Sequence, residues 1–152
     1  KALPEAEIHA LDISGRALEV AQQNAYDNEV KVTFEQADIL DVNLNLGLGF
    51  KFDIIISNPP YVRESEKSAI HENVKNHEPP VALFVPDNDA LKMFGAIAEF
   101  AGKYLKKQGK LYLEINQYLR ARTKSFFEEQ GYSEVTVKKD IFDNYRMLRC
   151  KK

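Results

Sequence analysis

Asn58-Pro59-Pro60-Tyr61 follows directly on the apolar run Phe52-Asp53-Ile54-Ile55-Ile56-Ser57. Two successive prolines remove two backbone donors and restrict the backbone just where a strand ends. Such a turn is stiff. It holds the side chain of Asn58 and the neighbouring carbonyls in fixed directions as acceptors for an incoming NH2 group, and Tyr61 adds a flat face against which a planar amide or base can pack. The arrangement suits methyl transfer to a planar nitrogen, whose lone pair is delocalised and whose hydrogens must be gripped to aim it, so that catalysis is mostly positioning. The plainer reading is a rigid turn that only ends a strand.

Asp12 and Asp38 hold comparable places, each at or just after a predicted strand. In an open α/β sheet ligands sit at the carboxyl ends of the strands, and an acidic residue there, with a helix beginning behind it, is where nucleotide-binding folds accept ribose hydroxyls. Asp12 reads equally well as part of the cap of the following helix. His71 and His77 match no zinc spacing and read as surface loop residues, and Ser57 lacks the glycines of a nucleophile elbow. Tyr104, Tyr112, Tyr118 and Tyr132 are scattered through helices and strands, as packing residues are.

These residues need a frame. Glu7 to Leu11 reads as a strand, and Ser14 as the N-cap of a helix from Gly15 to about Asp27 with Ala17, Leu18, Ala21 and Ala25 on one face. Val30 to Phe34 alternates apolar and polar, as a strand does. Phe52 to Ser57 is a continuous apolar run of the kind found in a central strand covered on both faces. Residues 62 to 88 contain Pro79, Pro80 and Pro86 and show no sustained periodicity, which predicts a long functional loop or lid with short helical turns at most. Leu91, Phe94, Ala98, Ala101 and Leu105 recur at helical spacing from Asp89 onward, with Gly109 as a stop. Leu111 to Ile115 is then a strand, Tyr118 to Gln130 a helix closed by Gly131, and Ser133 to Lys138 and Arg146 to Cys150 two last strands. Strands separated by helices predict a doubly wound α/β sheet, and the helix-free final pair an antiparallel hairpin at one edge.

With 152 residues, 44% hydrophobic and 29% charged, the composition is that of one ordinary globular domain, spanning 1–152. Lys and Arg number 21 against 23 Asp and Glu, which gives no overall positive field to draw the protein onto nucleic acid. The pairs Lys106-Lys107, Lys138-Lys139 and Lys151-Lys152 read as solvated surface. Cys150 is the sole cysteine, so neither an internal disulfide nor structural zinc is expected. No apolar stretch approaches the length of a membrane span, and a cytoplasmic location is the default expectation.

Asn-Pro-Pro-Tyr directly after an apolar strand resembles the substrate motif of amino-methyltransferases of the Rossmann-like class. That class includes adenine-N6 DNA methyltransferases, guanine-N2 rRNA methyltransferases and the peptide chain release factor glutamine methyltransferases of the HemK type. The remaining motifs resemble the last group in order and spacing: Leu3-Pro4-x-Ala6-x-Ile8-x-Ala10-x-Asp12-Ile13-Ser14, the Ala17-Leu18 helix with Asn24, Glu78-Pro79 with Ala82-Leu83, Gly109-Lys110-Leu111 with Glu114-Ile115, and Asp140 with Arg146. The resemblance implies S-adenosylmethionine as cofactor and the glutamine amide of a release factor as substrate, with direct in-line displacement of the methyl group and no metal. It implies that Asp12 binds the ribose hydroxyls and that Asp38 with Ile39 borders the adenine, where family members often carry an aromatic residue. Asn58 would bind the substrate amide close to the methyl donor, the Pro59 carbonyl would accept the second amide hydrogen, and Tyr61 would pack on the glutamine side chain. Pro60 would stiffen the turn, and Glu78 would help shape the substrate side.

The resemblance also implies a Rossmann-like sheet, mostly parallel with an antiparallel C-terminal hairpin, and one departure from the family. The family's first strand and glycine-rich turn, and its helical N-terminal domain, have no counterpart in these residues. Gly47-Leu48-Gly49 cannot replace the turn, because it precedes a strand instead of following one and opening a helix. The chain is therefore expected to be an incomplete catalytic domain, whose sheet must leave a gap, re-pair its strands or recruit another chain by self-association. Two rivals stand beside this reading: an rRNA or DNA amino-methyltransferase using the same tetrapeptide, and an inactive fragment or interaction module.

Overall fold

The computed structural model describes residues 3–152, and the chain divides into two units, residues 1–47 and 48–152. In the first unit, strand β1 (His9–Asp12) and strand β2 (Thr33–Gln36) pair in parallel, joined by helix α1 (Gly15–Asp27). Ser14 caps the helix as its sequence position predicts: its backbone is extended and its hydroxyl accepts from Ala17 N at 3.2 Å. Leu18 is buried and Ala21 and Ala25 are half-buried, but Ala17 is exposed, so the apolar stripe is narrower than expected.

Strand β2 begins three residues later than the alternation from Val30 suggests. The reason lies in the helix exit: Val30 N donates to Ala25 O and Glu29 adopts a left-handed conformation (φ 54°), so these residues close α1 before pairing can start. β1 likewise starts at His9, two residues after Glu7.

The second unit carries a four-stranded sheet in the order β3 (Phe52–Ser57), β6 (Leu105–Glu114), β8 (Tyr145–Lys151), β7 (Ser133–Lys139). β3 runs parallel to β6, while β8 is antiparallel to both β6 and β7, which is the expected terminal hairpin. Helix α4 (Lys92–Tyr104) and helix α5 (Arg120–Glu129) supply the rest of the core. Phe94, Ile97 and Ala101 of α4 and Phe127 of α5 are buried with Leu111, Leu113 and Ile115, alternate residues on one face of β6 and its exit. Phe127 sits at the centre of an aromatic cluster, edge-on to Phe94, Phe126 and Tyr132.

β3 departs from expectation. Ile54 is 51% and Ile56 77% exposed, so the strand is not covered on both faces. It is the outermost strand of its sheet, and within this unit the helices that bury Leu111 and Leu113 line the opposite face.

The helix that starts after Asp89 also ends sooner than Gly109. Leu105 N closes α4 on Ala101 O, and Lys152 Nζ donates to the carbonyls of Ala101, Gly102 and Leu105, a cation placed at the negative end of the helix. The chain then enters β6 through an irregular turn. Phe52 faces Leu105 but Ile54 faces Lys110, so extra residues of β6 loop out, and a Cβ on Gly109 would meet Leu105 Cγ at 2.7 Å and Lys106 O at 2.8 Å. Gly109 therefore permits a close approach inside β6 and does not end the helix. Lys106 in this turn bonds Asp53 at 2.8 Å, an exposed pair that adds little stability.

Residues 62 to 88 are more ordered than a bare loop. Strand β4 (Val62–Arg63) pairs in parallel with strand β5 (Phe84–Val85), and between them lie a 3-10 stretch (Glu64–Ala69) and the short helices α2 (Glu72–His77) and α3 (Pro80–Leu83). A 3-10 turn, Gln117–Leu119, precedes α5, so that helix starts two residues later than expected. No helix among the described residues is long and apolar enough to cross a membrane. Phe127→Ala should destabilise the protein by about 3–5 kcal/mol, because it empties the middle of the aromatic cluster; urea unfolding checks this, and a loss below about 1 kcal/mol would show that α5 does not anchor the sheet.

Candidate active site

The diproline corner begins where β3 ends. Asn58 is exposed, Pro59 is buried, and Pro60 and Tyr61 are half-buried, so the corner is rooted in the core while the asparagine faces outward. Because β3 and β6 are parallel, the carboxyl end of β6 lies at the same end of this sheet. Residues from that end and from the neighbouring β8 hold the corner in place.

The Tyr61 hydroxyl donates to Glu114 Oε1 and accepts from Arg146 Nη1 at 3.3 Å. Burial, reinforced by the bond to the Glu114 carboxylate, pushes the phenol up to about 12. At neutral pH Tyr61 therefore stays protonated, as a donor pinned between an anion and a cation.

The carbonyl of Tyr61 is held as well. Asn116, only 5% exposed, donates through Nδ2 to Tyr61 O at 3.2 Å and to Glu66 Oε2 at 2.7 Å, while its Oδ1 accepts from Tyr118 N at 2.9 Å. Glu66 in turn accepts from the backbone N of Arg63 at 3.0 Å and from the Arg63 guanidinium at 2.9 Å. One buried amide thus joins the corner, the 3-10 stretch behind it and the loop after β6. The hydrogen bond from Arg63 is the largest cause holding the Glu66 carboxyl below its usual range, ahead of the opposing effect of burial.

Glu78 is exposed at the C-terminal cap of α2, where its backbone N donates to Val74 O. It lies in the excursion between β4 and β5, whose pairing ties both ends of that excursion together. His71 and His77 serve α2 locally: His71 Nδ1 accepts from Asn73 N at 3.2 Å, and His77 Nδ1 lies 2.7 Å from Asn73 O. Of the tyrosines expected to pack, Tyr104 and Tyr132 are buried and Tyr112 is half-buried, but Tyr118 is 72% exposed. It follows the strand exit that Asn116 turns outward, which is why it escapes the core.

In the first unit, Asp12 is the last residue of β1 and is exposed; its Oδ1 accepts from Ser14 N at 2.8 Å. Ser14, not Asp12, caps the helix directly. Asp38 lies just beyond β2, its Oδ1 accepting from Leu40 N at 2.8 Å, with Ile39 half-buried beside it. Each carboxylate is oriented through one oxygen and keeps the other without a hydrogen-bond partner among the described residues, a disposition suited to accepting from hydroxyl or amino groups of a nucleoside.

Glu114, Asn116 and Arg146 join the candidate site through hydrogen bonds that residue type and spacing do not single out, although Glu114 and Arg146 stand in the motifs. The rule that singled out Asp12, Asp38 and Asn58, a polar residue at the carboxyl end of a strand, selects Glu114 and Asn116 too when applied to the strand through Leu111 and Ile115. Arg146, distant in sequence and inside a hairpin, gives no such signal.

A family model described as a methyltransferase domain matches residues 1–142, and the chain belongs to that family. Its mixed α/β fold is the Rossmann-like arrangement of class I methyltransferases, shared with a methyltransferase from Pyrococcus furiosus (TM-score 0.65, 20% identity, 96% of this chain and 62% of that one), although the four-stranded sheet expected to be mostly parallel has one parallel pairing and two antiparallel ones, because β8 inserts between β6 and β7. A putative methyltransferase from Streptococcus mutans, solved in complex with SAH, has the same fold (TM-score 0.60, 15% identity, 96% and 76% covered). Among relatives in sequence, the chain is 48% identical to the release factor glutamine methyltransferase of Flavobacterium psychrophilum over 98% of its own length and 51% of that protein's. It is 43% identical to the protein of that name from Bacteroides thetaiotaomicron, with 97% and 52% covered, and thus spans about half the length of both relatives.

The Glu66 carboxyl is depressed in the folded protein, so it stabilises the corner's surroundings above the unfolded carboxylate value near 4.5, and that contribution is lost as pH falls through its lower folded value. Glu66→Gln should therefore lower the melting temperature at pH 7 and have progressively less effect below about pH 4. Thermal melts of both proteins between pH 7 and pH 3 test this; a gap that persists unchanged at the acid end would refute it.

Proposed function

We propose that the protein transfers a methyl group from S-adenosylmethionine to the side-chain amide nitrogen of a glutamine in a peptide chain release factor. The observation that carries this reading is the exposed Asn58 on a diproline corner that is clamped through Tyr61 at the carboxyl end of a parallel strand. The names and extent of the relatives support the same choice.

On this reading each residue has a positional task. Asp12 accepts from the ribose hydroxyls through its unoccupied oxygen, and Asp38 and Ile39 border the adenine, with aliphatic contact where an aromatic side chain would stack. The cofactor, when bound, supplies a methyl group on a positively charged sulfur. Asn58 and the Pro59 carbonyl accept the two amide hydrogens of the glutamine, which raises electron density on its nitrogen and turns the lone pair toward the methyl carbon. Pro60 keeps the two acceptors at a fixed angle, Tyr61 packs on the glutamine side chain, and Glu78 shapes the loop side of the substrate. The partner is then a soluble protein of the translation machinery, which places the enzyme in the cytoplasm.

The test uses the intact protein with purified release factor and radiolabelled S-adenosylmethionine, followed by peptide mass spectrometry. Label is expected on a single glutamine, and Asn58→Ala should lower kcat/KM by about 100-fold or more while leaving the fold intact. Label entering RNA or DNA, with the release factor untouched, would replace this function with that of a nucleic-acid amino-methyltransferase.

A further inference from the structure

We infer that Glu114, Asn116 and Arg146 are positioning residues that aim the diproline corner, gripping Tyr61 separately at its hydroxyl and at its carbonyl. The inference rests on the function proposed above for its effect on rate, but the grip itself is a statement about hydrogen bonds.

Pro59 and Pro60 have no backbone N–H, so the corner has fewer donors with which to fix its own orientation. Rigid as the corner is internally, its direction is set where the chain next makes bonds, and that is Tyr61. One grip acts on the side chain: the phenol donates to Glu114 and accepts from Arg146 at 3.3 Å. Arg146 also approaches Asp140 Oδ2 at 3.8 Å, and Asp140 organises the hairpin loop by accepting from Phe142 N at 2.8 Å and Asn144 N at 2.9 Å. The guanidinium is therefore held from behind by a built loop. The other grip acts on the backbone, through Asn116 Nδ2 to Tyr61 O at 3.2 Å.

Asn116 uses three of its four hydrogen-bonding positions in place. Both amide hydrogens are donated and its oxygen accepts from Tyr118 N, in a site 5% exposed, so the side chain cannot rotate without leaving buried groups unpaired. A buried amide bonded to the corner, to the 3-10 stretch and within its own loop specifies their relative positions. Since Tyr61 is two residues from the Pro59 carbonyl, a shift at either grip is transmitted to the acceptors at the reacting nitrogen.

The two grips can be separated. Glu114→Gln keeps the shape of residue 114 but removes the charge that holds the phenol, and Tyr61→Phe removes the hydroxyl itself. In the intact protein, Glu114→Gln should lower kcat by about tenfold with KM for the release factor changed far less. In the Tyr61→Phe background the same change should cost almost nothing further, because the contact it weakens is already gone. Asn116→Ala should lower kcat in both backgrounds, since it acts on the carbonyl. In protein carrying tyrosine labelled with 13C at Cζ, the resonance that Tyr61→Phe deletes should move upfield in Glu114→Gln, as a phenol losing a carboxylate acceptor does. An unmoved resonance, or losses from Glu114→Gln and Tyr61→Phe that simply multiply, would overturn the inference even if Asn116→Ala fails to fold. Absence of release factor labelling by the unmodified protein would defeat the proposed function instead, and the Cζ resonance would still decide whether the grip exists.

Discussion

A corner built from consecutive prolines exchanges hydrogen bonds for stiffness. Pro59 and Pro60 have no N–H to give, yet the carbonyls around them still need donors, and those donors must come from elsewhere in the fold. Here the buried amide of Asn116 supplies one, to Tyr61 O, from the loop that follows the neighbouring strand. Leaving that carbonyl unpaired would cost about 1–3 kcal/mol, and the two other bonds of the same side chain raise the stake. The register of β3 on β6, which sets Ser57 opposite Leu113, brings Asn116 within reach. Sheet pairing, strand exit and corner thus constrain one another, and none is free to move alone.

Much of this is legible in the sequence. Ser14 announced α1 because an N-cap has a local chemical cause, a hydroxyl meeting an orphan N–H three residues on. The terminal hairpin was equally legible, since no helix separates its strands. The strand edges were harder: Val30 looks like a strand residue but is consumed in closing α1, and Gly109 looks like a helix stop but sits where β6 approaches Leu105 too closely for a Cβ. Both differences share a cause, that a residue's role is settled by a neighbour in space. The exposure of Ile54 and Ile56 was illegible for the same reason, because a run of isoleucines reports that a strand can be covered and not which face is.

The candidate site divides along the same line. Asp12, Asp38 and Asn58 were visible because a polar residue at a strand's carboxyl end is conspicuous against an apolar run. Their supports were not. Arg146 lies 85 residues from the tyrosine it bonds, inside a strand whose other residues read as ordinary hairpin. Glu66 sits in a segment without periodicity, yet it accepts from Arg63 and Asn116 and so gives that segment a fixed start. Positioning residues of this kind are recognised by the bonds they complete, which residue type and spacing alone do not specify.

The electrostatics of the corner narrow the chemistry that it can perform. A phenol held near 12 is neutral across the physiological range, and its proton is committed to Glu114. Glu114, for its part, is engaged by that phenol, and the Arg146 guanidinium sits on the same hydroxyl, which offsets the carboxylate's charge locally. On the proposed function, neither group is disposed to remove a proton from a weakly acidic amide, whose lone pair is in any case spread into the carbonyl. What the corner offers is direction, in the form of oxygen acceptors on a rigid turn whose far end cannot rotate. Catalysis by direction alone makes small displacements expensive, since a misplacement of about 1 Å can cost on the order of 100-fold in rate. That sensitivity gives a physical reason for committing four side chains, Glu66, Glu114, Asn116 and Arg146, to the surroundings of one tyrosine.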